Sequence, residues 1–174
     1  MKKIIRQYSS EIHGNYFQMS IRYGMVIGAL MSLGLLVRFI ISKPASSPIS
    51  YVDNVIMLVF MAFVVYLYRN SLENKKITFK EAWLVGFFSA FVASVIYGMF
   101  MYIYNVWIDT DMSARCMNGL QNLDRCKGYT IDQIKAMAGV SQMCVYSIIY
   151  NIIVGILWAF CVGIIFRNEK AQRK

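Results

Sequence analysis

The side chains best suited to chemistry are four cysteines, one histidine and a few charges set among apolar residues. Cys116 and Cys126 lie eleven positions apart, counted inclusively, in the longest polar stretch, Ile108 to Gln142. If that stretch lies in an oxidising compartment, a disulfide there would close a short loop. In the chain-entropy model such a bond contributes roughly 2–3 kcal/mol. Two thiols without a histidine or further cysteines beside them are not a zinc site. A structural disulfide, two free thiols and a redox pair all remain open. The single histidine, His13, falls on the other side of the chain's topology. Cys144 and Cys161 lie in an apolar run and read as filler. No metal-ligand, nucleophile or cofactor pattern occurs, so the expectation is a non-enzymatic protein with no cofactor.

A second pairing is ionic. Arg38 ends one apolar run and Asp53 opens the next, with a loop holding Pro44 and Pro48 between them. Charges at membrane depth find partners, so Arg38 and Asp53 are a candidate ion pair. The alternative is that Arg38 snorkels to head groups while Asp53 sits in water. Thr78 and Glu81 form a third set. Threonine followed three positions later by glutamate, ahead of an apolar run, is a helix-capping box. A carboxylate there also complements the helix dipole, so a helix start explains Glu81 better than a functional acid.

These residues are placed by four apolar runs, at about 19–41, 51–68, 82–107 and 143–166. Ala82 to Trp107 has no charge over 26 residues, well beyond the roughly 18 that mark a membrane helix. Helices are required because an open strand cannot satisfy its backbone in lipid. The expected fold class is therefore an all-α membrane protein, a four-transmembrane-helix bundle forming a single integral membrane domain over 1–174. At 58% hydrophobic and 16% charged, the chain departs from a globular composition. Its net charge of +9 sits in the regions flanking the runs, so nucleic acid is not the expected partner; the lipid bilayer is. Eleven Lys and Arg on one side against five on the other place both termini in the cytoplasm by the positive-inside rule. The basic ends would also attract anionic head groups. The first run follows a charged region of about eighteen residues, too long for a signal peptide, and reads as a retained helix.

The lengths of the runs differ. Tyr23 to Val37, between Arg22 and Arg38, covers only about 22 Å as helix, while Ala82 to Trp107 covers about 39 Å and must tilt or project. Tyr97, Tyr102, Tyr104, Asn105 and Trp107 near its far end read as interface anchors. Small residues recur every four positions: Ser20, Gly24, Gly28 and Ser32; Gly86, Ala90, Ser94 and Gly98; Gly155, Ala159 and Gly163. That spacing lines one face of each helix and lets backbones approach. The faces serve either packing within the bundle or a homo-oligomer. The second run has no such ladder, with Met57, Met61 and Val64-Val65 instead, and is expected at the periphery. In the long loop, Thr130 and Gln133 form another capping box, predicting a short helix from Ile131 to about Val140.

Thr78-Phe79-Lys80-Glu81-Ala82, running into Gly86 and ending near Asp109, resembles a bacterial membrane family, domain of unknown function 4199; Tyr23-Gly24 fits it too. The resemblance implies a four-span fold with a helical segment in the second outer loop. It implies no activity and no catalytic residues. The Cys116–Cys126 segment departs from the family's shorter loop. Placement follows as the bacterial inner membrane. Three functions stay in play: a structural, accessory or regulatory protein of the envelope working with another membrane protein; a small transporter or channel acting as an oligomer; and a membrane redox enzyme. A mid-membrane acid and a proline-broken helix, usual in ion-coupled carriers, are not expected here, though Tyr97, Ser94 and Asn151 could line a passive pore. Four-helix membrane oxidoreductases share the size, but this chain has no Cys-x-x-Cys.

Overall fold

The computed structural model describes residues 2–41, 51–72, 75–122 and 128–167, with side chains from Tyr16 onward. Among the described residues six α-helices follow one another: α1 (Lys2–Ile40), α2 (Tyr51–Ser71), α3 (Phe79–Ile103), α4 (Met112–Gln121), α5 (Ile131–Met137) and α6 (Val140–Phe166). A π-helical turn, Tyr104–Ile108, prolongs α3. Four helical segments are long and apolar enough to cross a bilayer: Tyr16–Ile40, Tyr51–Ser71, Phe79–Ile108 and Val140–Phe166. They form an all-α bundle, and no strand occurs among the described residues.

The start of α3 is fixed by its own side chains. Thr78 Oγ1 accepts from the Glu81 backbone N–H at 3.3 Å. Glu81 Oε2 accepts from the Thr78 N–H and hydroxyl, both at 2.9 Å. Two of the helix's orphan donors are thereby satisfied at a point where water is about to run out.

α3 is the hub, packed against α1, α2 and α6. Its contacts with α1 and α6 are close because small residues meet there. A Cβ at Gly24 would lie 2.8 Å from the Ser89 carbonyl oxygen, and one at Gly28 would lie 3.0 Å from that of Ala93. On the other side, a Cβ at Gly155 would stand 2.5 Å from Ala90 Cβ, and one at Gly86 3.1 Å from Ala159 Cβ. Gly98 accommodates Ile148, and Gly163 the Phe79 ring. Ser20 Oγ also reaches across to the Val85 carbonyl at 3.3 Å. Each glycine of the three ladders thus faces another span of the same chain.

α2 is not peripheral. It touches α1, α3 and α6, and Met57, Met61, Val64, Val65 and Tyr68 are buried. It needs no small-residue face because its side chains fill the partners' notches. Met61 Sδ lies 3.2 Å from the Cβ position of Gly86, and Met57 Sδ 3.5 Å from that of Gly155. Flexible thioethers suit such gaps.

The short α5 keeps its expected start, with the Thr130–Gln133 capping box formed, but ends at Met137. The preceding α4 was not expected. Its N-cap, Asp111, makes no side-chain capping bond, so no local signal marks it.

Gly155→Leu should lower stability by about 1–3 kcal/mol, because the nearest facing atom, Ala90 Cβ, is fixed to the α3 backbone and cannot yield. Gly119→Ala, where an added Cβ meets nothing within 4 Å, should leave it unchanged or slightly raised. Thermal unfolding in detergent compares the two.

Candidate functional site

The first turn of α2 is where the spans are fastened together. Asp53 Oδ2 accepts from Arg38 Nη2 at 3.2 Å and from the Tyr97 hydroxyl at 2.8 Å. One carboxylate therefore joins the last turn of α1, the first turn of α2 and the C-terminal half of α3. The next residue does the same for α6: Asn54 Nδ2 donates to the Tyr150 hydroxyl at 3.0 Å. Adjacent positions on α2 thus bind it to all three other spans.

Depth explains why this polar group is dry. Tyr97 lies eleven residues short of Ile108, and Tyr150 ten residues into α6. At 1.5 Å per residue, α2 begins roughly 10–15 Å below the ends of α3 and α6. Asp53 is in its helix's first turn, yet only 1% exposed. The alternative in which it sits in water does not hold. Arg38 keeps 26% of its side chain exposed against 2% for Asp53, so the desolvation cost falls mainly on the acid. The guanidinium and the phenol hydroxyl together offset it.

A second polar cluster follows on the same stripe of α3. Tyr104 is seven residues beyond Tyr97, two turns and about 10 Å along the axis. Its hydroxyl donates to Asp109 Oδ2 at 2.8 Å, and the same oxygen accepts from Arg115 Nη2. The Asp109 N–H bonds the Tyr104 carbonyl at 2.8 Å, closing the π-helical turn. Phe39, next to Arg38, packs edge-on against the Tyr104 ring at 5.9 Å. The two clusters repeat one scheme, an aspartate held between an α3 tyrosine and an arginine. The second anchors the loop to the bundle, and Ser113 Oγ continues it by donating to the Ala138 carbonyl at 2.6 Å.

The aromatic group at the end of α3 therefore divides. Tyr102 and Trp107 are exposed, Trp107 at 81%, as interface anchors should be. Tyr97, Tyr104 and Asn105 are buried; they are structural, not anchors. Asn105 Nδ2 bonds the Met101 carbonyl at 2.8 Å. Of the side chains considered as a pore lining, Ser94 bonds its own helix at the Ala90 carbonyl, 2.7 Å, and Asn151 Nδ2 meets Ser147 Oγ at 3.4 Å.

Cys116 is buried in α4. Burial pushes its thiol above the ordinary range; Arg115 opposes that shift and Asp109 adds to it. The Cys116–Cys126 disulfide finds no support, since Cys126 lies outside the described residues and no bond joins the described cysteines. Cys144 is buried and Cys161 exposed on α6, at separate positions. Among the described residues no three His, Cys, Asp or Glu side chains converge.

Sequence spacing missed the roles of Tyr97, Tyr104, Asn54 and Tyr150 because their partners are mostly distant in the chain. The i, i+7 repeat of Tyr97 and Tyr104 was the one available signal, since it places both on one face.

Four bilayer-length apolar helices, closed on internal polar clusters, define a multi-pass membrane protein. The chain belongs to the family described as Protein of unknown function (DUF4199), whose family model matches residues 22–168. No curated protein and no solved structure matches it.

Asp53→Leu should cost about 2–3 kcal/mol, because it strands a partly buried guanidinium and the Tyr97 hydroxyl. The triple change Arg38→Met, Asp53→Leu, Tyr97→Phe should cost clearly less than that single one. Additive losses in thermal unfolding would contradict the cluster. Asp109→Ala should speed amide exchange across 109–116 while leaving 82–97 protected, read by hydrogen-exchange mass spectrometry.

Proposed function

We propose that this chain is a non-enzymatic, multi-pass protein of the bacterial inner membrane, with both termini in the cytoplasm. It serves as a structural, accessory or regulatory partner of another envelope protein. The observation carrying this reading is the engagement of Asp53, which accepts from Arg38 and Tyr97 of the same chain. A group held by two donors from two helices supports a fixed bundle rather than one that rocks around a carried ion. The surplus of Lys and Arg beside the termini supports the orientation.

One observation favours a second reading. Asp53 is a buried acid at membrane depth, beside the Asn54–Tyr150 pair, and such acids mark ion pathways in carriers. A small transporter working as an oligomer would use it.

Crosslinking in native membranes followed by purification, paired with flux measurements on the reconstituted protein, separates the two. The accessory reading predicts one membrane protein recovered in stoichiometric amount and no flux above empty vesicles. Flux that disappears in Asp53→Asn, from protein purified without a partner, would overturn it.

A further inference from the structure

The two ends of the bundle differ in charge. Among the described side chains, the end where α2 stops and α3 starts carries five bases, Arg69, Lys75, Lys76, Lys80 and Arg167, against one acid, Glu81. At the other end the described bases Arg38, Arg115 and Lys135 stand against the aspartates Asp53, Asp109, Asp111 and Asp132. Three elements converge at the basic end. Arg69, in the last turn of α2, donates from Nε to the Lys75 carbonyl at 3.1 Å. The Lys75 N–H bonds the Leu72 carbonyl at 2.9 Å. This tight turn holds Lys75 at φ 47°, a left-handed conformation that glycine adopts freely and a lysine does not. Ile77 is fully buried and pins the turn to the core. Phe79 then packs on Gly163 and, at 5.5 Å, on the Phe160 ring. That contact sets the last turn of α6, with Arg167 just beyond it, at the same end of the bundle as the start of α3.

The result is a rim of four exposed bases, Lys75, Lys76, Lys80 and Arg167, with Arg69 half-buried among them. None of the five has an ion-pair partner among the described residues. Glu81, the one acid beside them among the described residues, is turned onto its own helix start. Directly along the helices lies an exposed apolar face that includes Phe160 and Ile165 on α6 and Phe63 and Tyr66 on α2.

We propose that this rim is a binding site for anionic phospholipids. Phosphate oxygens would meet the ammonium and guanidinium groups while the acyl chains lie on the apolar faces of α2 and α6. The charge sits at the helix ends, which is head-group depth. Each surface base adds to attraction for anionic lipid, and a strained lysine kept where glycine would be relaxed keeps one more charge in the rim. The balanced charge of the opposite end restricts the preference to one leaflet.

The test uses the full chain reconstituted with mixed phosphatidylglycerol and phosphatidylcholine, followed by mass spectrometry of co-purifying lipid. The wild type should retain phosphatidylglycerol over phosphatidylcholine by about tenfold, and 1 M salt should erode this. The combined variant Lys75→Gln, Lys76→Gln, Lys80→Gln, Arg167→Gln should fall to about twofold or less, with unfolding in phosphatidylcholine alone unchanged. Lys135→Gln, at the other end, should keep the wild-type preference. A wild type with no preference, or one indifferent to salt, overturns the proposal without reference to any variant. A folded quadruple variant with undiminished preference overturns it equally.

Discussion

Close approach of α3 to its neighbours is the constraint on which the rest of the structure depends. In lipid there is no hydrophobic force to press one apolar helix on another, so packing must come from contact. The Gly24 and Gly28 face of α1 lies on α3 at distances that leave no room for a Cβ, and Ala90 and Gly155 do the same across the α3–α6 seam. Because three ladders are consumed this way, the remaining span, α2, is free to use bulk. Met57 and Met61 reach from α2 to the glycine positions, and the bundle closes with two tight seams and one supple wall.

The polar clusters complete what packing begins. With α2 set back from the ends of α3 and α6, its first turn would leave a carboxylate in a dry place. Arg38 and Tyr97 resolve that, and Asn54 uses the same turn to hold Tyr150. Two turns further along α3, Tyr104, Asp109 and Arg115 repeat the scheme where the helix leaves the bundle. There the polar groups join a loop to a span, and below they join the spans to each other. Membrane depth makes both clusters costly to break and so fixes a single arrangement of the helices.

What could be read in the sequence was what is local. The four apolar segments follow from run length. Both capping boxes follow from residues three apart, and the four-residue ladders follow from helical pitch. The family emerged from the same Thr78 to Glu81 segment, because that segment is a helix start with few alternatives. The position of α2 was misjudged, since a ladder is only one way to fit and thioethers filling another helix's notches leave no periodic trace. Tyr97 and Tyr104 looked like interface residues because aromatic residues near a span's end usually are. Only the partners Asp53 and Asp109 distinguish them from Tyr102 and Trp107. The uncapped α4 had no signal of its own.

A direct check on the seam is oxidative crosslinking in membranes of Gly86→Cys paired with Ala159→Cys, in a chain whose Cys116, Cys126, Cys144 and Cys161 are replaced. A Cβ built at position 86 stands 3.1 Å from that of Ala159, close to the roughly 3.5–4.5 Å of a disulfide. The bundle described above predicts efficient bonding within one chain, seen as a monomer whose thiols no longer label. A covalent dimer, or thiols that remain reactive under oxidation, would contradict it.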